Sequence, residues 1–157
     1  MFSILGQDLS GQAVLDLCAG AGTLGLEAAS RGATTVVFVE QGSDHLRVLR
    51  DNAALVSDFA DVSVKRMDAR RAPAMLAKAG QTFDLVTLDP PYGRGLANEV
   101  LEAVADAARA LLKPGAVVVA EAESGAELPR EVGSLLCSGP RAYGDSEMWI
   151  YRSSGDR

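Results

Sequence analysis

Ala13-Val-Leu-Asp-Leu-Cys-Ala-Gly-Ala-Gly-Thr-Leu-Gly25 carries an apolar run straight into a glycine-rich turn. Ala13 to Leu17 reads as a first strand, and from about Thr23 to Arg31 the pattern suits a helix. Between them stands Gly20-Ala-Gly-Thr-Leu-Gly25, a G-x-G-x-x-G spacing in the strand-to-helix setting that gives the spacing its meaning. Glycine permits the tight turn and lets a ligand approach the backbone closely. On its own, such a loop suits NAD, FAD or S-adenosylmethionine.

The same alternation continues outward. Thr35 to Val39 is a second strand, followed by a helix from about Ser43 to Val56 with Leu46, Leu49 and Ala53 on one face. Val62 to Val64 is a short third strand, and Ala74 to Ala79 a short helix after Pro73. The fourth strand is Phe83 to Leu88, and a longer helix runs roughly from Leu96 to Leu112, with Leu101, Val104, Ala108 and Leu111 on its buried face. Lys113-Pro-Gly115 stops that helix, and Ala116 to Ala120 is the fifth strand. Ser134 to Ser138 and Glu147 to Tyr151 read as two further strands, joined by a turn around Gly139-Pro140 and Gly144-Asp145. No repeat or linker interrupts the chain. The pattern predicts one α/β domain over residues 1–157, a doubly wound, mostly parallel, seven-stranded sheet closed by an antiparallel C-terminal hairpin.

Carboxylates fall where the strands end. Asp16 lies just before the glycine turn, where it could influence a cationic amino-acid moiety. Glu40 ends the second strand, where it can accept from both hydroxyls of a ribose. Asp68 follows the third strand, within reach of an adenine amino group. Asp89-Pro90-Pro91-Tyr92 ends the fourth. Prolines cannot donate to a sheet ladder, so pairing must stop there. The Asp89 carboxylate and the nearby carbonyls then form a cluster of acceptors beside the flat face of Tyr92. Acceptors next to a stacking platform suit a planar base with an exocyclic amino group. That acceptor site and Asp16 favour S-adenosylmethionine over a dinucleotide.

Composition bounds the rest. With 157 residues and 48% hydrophobic residues the chain can bury a substantial core. No apolar run approaches the roughly 20 residues of a membrane span, and Met1-Phe-Ser-Ile-Leu-Gly6 is not a secretory signal. Cys18 and Cys137 lie far apart without metal-ligand spacing, so neither a disulfide framework nor a metal site is expected, and a reducing cytoplasm is the expected location. The net charge of -6 sits poorly with a phosphate-gripping surface, and only Lys65, Arg66, Arg70, Arg71 and Arg94 form a candidate basic patch. His45 reads as a surface or capping residue, Cys18 as packing beneath the glycine loop, and Trp149 and Tyr151 as core or rim.

The order of these segments is specific. Val14-Leu-Asp-Leu-Cys-Ala-Gly-Ala-Gly-Thr-Leu-Gly-Leu-Glu-Ala-Ala-Ser-Arg-Gly-Ala33, Phe38-Val-Glu-Gln41, Leu88-Asp-Pro-Pro-Tyr-Gly-Arg-Gly-Leu96, Leu112-Lys-Pro-Gly115 and Tyr143-Gly-Asp145 follow one another as in the RsmD family, which the chain resembles over nearly its whole length. The resemblance implies an S-adenosylmethionine-dependent methyltransferase acting on the N2 amine of a guanine in small-subunit ribosomal RNA, within a particle, as a monomer. It implies a cofactor set of Asp16, Ala19, Gly20, Gly22, Glu40, Gln41, Asp68 and Ala69, and an acceptor and catalytic set of Asp89, Pro90, Pro91 and Tyr92. It also implies a basic N-terminal segment, of which Met1-Phe-Ser-Ile-Leu5 corresponds to the end; a chain without it is expected to engage RNA weakly. An N6-adenine methyltransferase of DNA or RNA, a glutamine methyltransferase of protein, and a cofactor-binding domain without independent catalysis are the alternatives. Asp89 leans toward guanine, whose adjacent N1–H and N2–H suit a carboxylate that accepts both.

Overall fold

The apolar segments pair in parallel. In the computed structural model, which describes residues 1–154 except Tyr92 and Arg94, and their side chains except that of Ile4, β1 (Ala13–Leu17) lies between β2 (Thr35–Glu40) and β4 (Phe83–Leu88). Outside β2 lies β3 (Asp61–Arg66), and outside β4 lies β5 (Leu112–Glu123). Strand β1 is buried at all five positions, as an interior parallel strand covered on both faces must be. The chain turns back between β1 and β4, which opens a crevice at the carboxyl ends of the strands.

Helices α2 (Thr23–Ser30) and α3 (Ser43–Ala54) cover one face, where Ala28, Leu46 and Leu49 meet Val36, Phe38 and Leu85. On the other face α4 (Ala72–Lys78) and α5 (Leu96–Leu111) bring Leu76, Leu101 and Val104 against Leu17, Val86 and Leu88. Pro73 falls inside the first turn of α4, where no N–H is needed, so that helix begins ahead of the expected Ala74. A short α1 (Phe2–Leu5), which the sequence did not announce, buries Phe2 beneath the Arg31 guanidinium at 5.2 Å from the ring centre.

Beyond β5 the sheet is antiparallel through β8 (Ser146–Ser153), β7 (Leu135–Tyr143) and β6 (Glu131–Val132). The sheet therefore has eight strands where seven are expected. Strand β6 is two residues long, too short to show a period of its own. Gly139-Pro140 is not the turn but part of β7. Pairing with β8 slips between Cys137 and Pro140, and that irregularity accommodates the missing proline N–H. The turn itself is at Gly144-Asp145. Trp149 and Tyr151 are buried in the core, as read.

Gly25 fixes how closely α2 approaches the sheet. A Cβ there would lie 2.3 Å from Phe38 Cε1 and 2.9 Å from Val36 Cγ1. At Gly20 a Cβ would meet nothing within 4 Å. Gly25→Ala is therefore expected to destabilise the fold by about 2–3 kcal/mol or more in denaturant unfolding, the scale of an overpacked core. Gly20→Ala is expected to cost only about 1–2 kcal/mol, the strain of an L-residue in left-handed backbone. Equal losses would mean that α2 does not sit against Phe38 as described.

Candidate active site

Strand register brings the polar residues to one edge. Leu17 stands beside Val39 and Leu88, and Leu88 beside Ala120. The next residue on each strand, Cys18, Glu40, Asp89 or Glu121, therefore emerges at the same level of the sheet. Cys18 turns sharply there with φ +59°, the one non-glycine residue with positive φ among those described. Gly20 and Gly22 continue the turn at φ +57° and +90°.

Glu40 holds the glycine loop in place. One carboxylate oxygen accepts the Gly20 N–H at 2.7 Å and the other the Gly42 N–H at 2.8 Å. The carboxylate thus bridges the β1–α2 and β2–α3 turns, and each oxygen keeps acceptor capacity for a further donor. His45 approaches it, with Nδ1 at 3.8 Å from Oε1. The ring does not cap α3, whose N-cap is Gly42. Asn52 adds a second tie by donating to the Ala21 carbonyl at 2.9 Å.

A cleft of about 850 Å³ opens over this edge. Gly20, Glu40, Gln41, Asp68, Ala69, Asp89, Pro90 and Pro91 line it, together with Cys18, Val39, Gly42, His45, Met67, Arg70, Leu96 and Glu99. Cys18 is thus half-buried on the cleft wall and not hidden beneath the loop, and burial pushes its thiol up to about 12, so it stays protonated. Tyr92, expected as the stacking platform, and Arg94 lie outside the described residues.

Three residues of the expected cofactor set do not reach the cleft. Ala19 acts through its backbone, donating to the Val39 carbonyl at 2.9 Å. Gly22 packs inward, where a Cβ would lie 2.7 Å from Leu49 Cδ1. Asp16 is only 1% exposed. Its carboxylate accepts the Gly25 N–H at 3.0 Å and the Thr87 hydroxyl at 3.2 Å, so it joins β1, α2 and β4 from below the loop. Burial pushes its carboxyl up to about 7 against those two hydrogen bonds, with the Asp89 and Glu40 carboxylates adding to the rise.

Asp68 and Asp89 differ in their surroundings. Asp68 accepts the Arg70 backbone N–H at 2.8 Å, and its two oxygens take Arg70 Nε and Nη2 at 3.0 and 2.7 Å. Those hydrogen bonds hold its carboxyl below the usual range. Asp89 has no hydrogen bond or ion pair with any described residue. Solvent reaches it through the cleft, yet the walls displace enough water to push its carboxyl up to about 6, and the neighbouring Glu121 carboxylate adds to this.

The donor set fits a nucleoside-bearing cation. The cleft volume lies in the range of small-molecule sites. Its carboxylates are acceptors suited to ribose hydroxyls and an amino group, and among the described residues Arg70 is the one guanidinium that lines it.

Asp16 makes a pH test available. Burial lifts its carboxyl from the ordinary 3.8 to about 7 in the folded chain. The folded chain therefore binds that proton more tightly, and the contribution to stability falls as pH rises from about 4 to about 7. Asp16→Asn keeps an acceptor for Gly25 without the titration. The stability of this variant relative to wild type, from denaturant unfolding, is expected to rise through that window. A flat difference would remove the buried ionisable carboxylate from the account.

Residues 1–152 match the family described as Conserved hypothetical protein 95. YlbH of Bacillus subtilis, named for a proposed rRNA methyltransferase activity, is 32% identical over 155 residues, which is 99% of this chain and 83% of YlbH. Ribosomal RNA small subunit methyltransferase D of Escherichia coli is 34% identical over 92 residues, 59% of this chain and 44% of that protein. A solved structure of a conserved hypothetical protein from Streptococcus pyogenes superposes with a TM-score of 0.85 at 34% identity, covering 99% of this chain and 94% of the other. The ordered motifs, the doubly wound sheet and a match spanning almost every residue lead to one conclusion: this chain belongs to the Conserved hypothetical protein 95 family of RsmD-like proteins.

Proposed function

We propose that this chain transfers a methyl group from S-adenosylmethionine to the exocyclic N2 amine of a guanine in small-subunit ribosomal RNA. The observation that carries the reading is a single cleft in which Gly20, Glu40 and Asp68 stand beside Asp89 and Pro90. The names borne by YlbH and the Escherichia coli relative support ribosomal RNA as the substrate.

The cofactor supplies an electrophilic methyl group on a sulfonium, and the residues supply the geometry. Guanine N2 is a poor nucleophile because its lone pair is delocalised into the ring. The Asp89 carboxylate and the Pro90 carbonyl accept its N–H hydrogens and draw the nitrogen toward a tetrahedral shape. That geometry would leave the nitrogen lone pair facing the sulfonium methyl that the bound cofactor would supply. The surplus proton passes from nitrogen to Asp89 and on to water. Catalysis is mostly positioning and preorganised electrostatics. The base must leave its helix to reach the cleft, as enzymes acting on bases generally require.

Lys65 and Arg66 end the edge strand β3, and Arg71 is the N-cap of α4, so these cations lie on either side of the Asp68 loop in the chain. Arg70 is engaged by carboxylates and contributes less to that patch.

Calorimetry with S-adenosylhomocysteine tests the cofactor half of the reading. Glu40→Ala is expected to weaken binding by about 1.5–3 kcal/mol, the scale of lost hydrogen bonds to a charged group. Tight NAD binding without S-adenosylhomocysteine binding would contradict it.

Single-turnover methylation tests the acceptor half. Asp89→Ala is expected to slow the reaction by about 10²–10³, comparable to one lost preorganised contact, with cofactor affinity little changed. Because Asp89 must be ionised, kcat/KM for RNA is expected to rise with pH through about 6. Glu121→Gln removes a neighbouring negative charge, so the midpoint should move to lower pH. A wild-type rate in Asp89→Ala, or a midpoint unmoved by Glu121→Gln, would contradict this assignment.

A further inference from the structure

Arg70 is a long, charged side chain fixed in an unusual way for a half-exposed residue. Its Nε and Nη2 donate to Asp68, and its Nη1 donates to Glu99 Oε2 at 3.0 Å, in the first turn of α5. The side chains of Arg70 and Glu99 are 50% and 49% exposed. Ion pairs at that exposure contribute little to stability, because water and salt screen them and two side chains lose freedom. Thermal stability is therefore a weak explanation for the arrangement.

The geometry has a different consequence. Carboxylates meet a guanidinium at its edge, in its plane. With Asp68 and Glu99 taking the Nε–H and one N–H each of Nη1 and Nη2, most of that edge is engaged and the flat face is the broadest part left for a ligand. Arg70 lines the cleft among Met67, Ala69 and Leu96, which are apolar. A planar cation held in the same wall as such apolar side chains is a surface on which an aromatic ring stacks, and guanidinium is suited to this where ammonium is not. Asp68 is also altered as an adenine acceptor, since Arg70 already draws on both of its oxygens.

We propose that Arg70, clamped by Asp68 and Glu99, is the stacking wall for the purine ring of the cofactor. The proposal rests on the reading of the cleft as an S-adenosylmethionine site. It gives Glu99 and the paired Asp68 a shared task, holding the plane of the guanidinium. It also links the β3–α4 loop, which carries Asp68 and Arg70, to the helix that follows the acceptor loop.

The test compares Arg70→Lys with wild type, because lysine keeps the charge and loses the plane. Two probes are used in calorimetry or competition binding: S-adenosylhomocysteine, and S-ribosylhomocysteine, which lacks the purine. Arg70→Lys is expected to raise the Kd for S-adenosylhomocysteine about 5- to 30-fold, corresponding to about 1–2 kcal/mol. The Kd for S-ribosylhomocysteine should stay within about 2-fold, a split that general loosening of the site would not produce. Arg70→Gln should weaken S-adenosylhomocysteine in the same direction, at unchanged thermal stability of the free protein. Unchanged or tighter binding of S-adenosylhomocysteine to Arg70→Lys would overturn the proposal, as would equal losses for both probes. Failure of wild type to bind S-adenosylhomocysteine at all would overturn the reading of the cleft itself, and the stacking wall with it.

Discussion

The parallel register at the centre of the sheet is the constraint on which the rest depends. Leu17, Val39, Leu88 and Ala120 lie side by side and are buried, so the residues that follow them stand at one level of the sheet. Those residues include Glu40, Asp89 and Glu121. A slip of one residue in any strand would exchange the side chains that meet the two helical layers and move its carboxylate out of level with the others. Core packing thereby sets the position of the polar groups, with no separate device needed to bring them together.

Backbone donors finish what the register begins. Asp16 and Glu40 both accept N–H groups from glycine turns, one from below the sheet edge and one at the cleft. A glycine-rich loop is costly to order because glycine has so much conformational freedom to lose. Charge-assisted hydrogen bonds to its backbone are a strong way to offset that cost. Asp16 does so under burial that raises its pKa, while Glu40 does so where a ligand can still reach it.

The βα alternation and the glycine loop were legible because each leaves a local trace. Interior strands read as apolar runs, and glycine marks places where backbone or packing excludes a side chain. Gly22 and Gly25 belong to the second kind, and both turn out to face Phe38. Asp16 was legible as a special residue but not in its role. Its partners Gly25 and Thr87 come from other elements, and an interior strand buried on both faces gives no hint of which way a carboxylate points. The Arg70–Glu99 pair is tertiary in the same sense, bridging a loop and a helix 29 residues apart. Pro140 was misread for the opposite reason. A local turn signal was strong, and pairing with β8 overrode it by opening an irregularity in β7. Glu121 sat just past an apolar run that seemed to end at Ala120, so only the pairing of β4 with β5 brings it next to Asp89.

The identity of the methylated atom tests the account most directly. The protein would be incubated with methyl-labelled S-adenosylmethionine and unmodified small-subunit particles, and the RNA digested to nucleosides for mass spectrometry. The proposed role of Asp89 and Pro90, which stand in one cleft with Glu40 and Asp68, predicts label in N2-methylguanosine. Label in N6-methyladenosine, or no labelled nucleoside from a protein that binds S-adenosylhomocysteine, would contradict it.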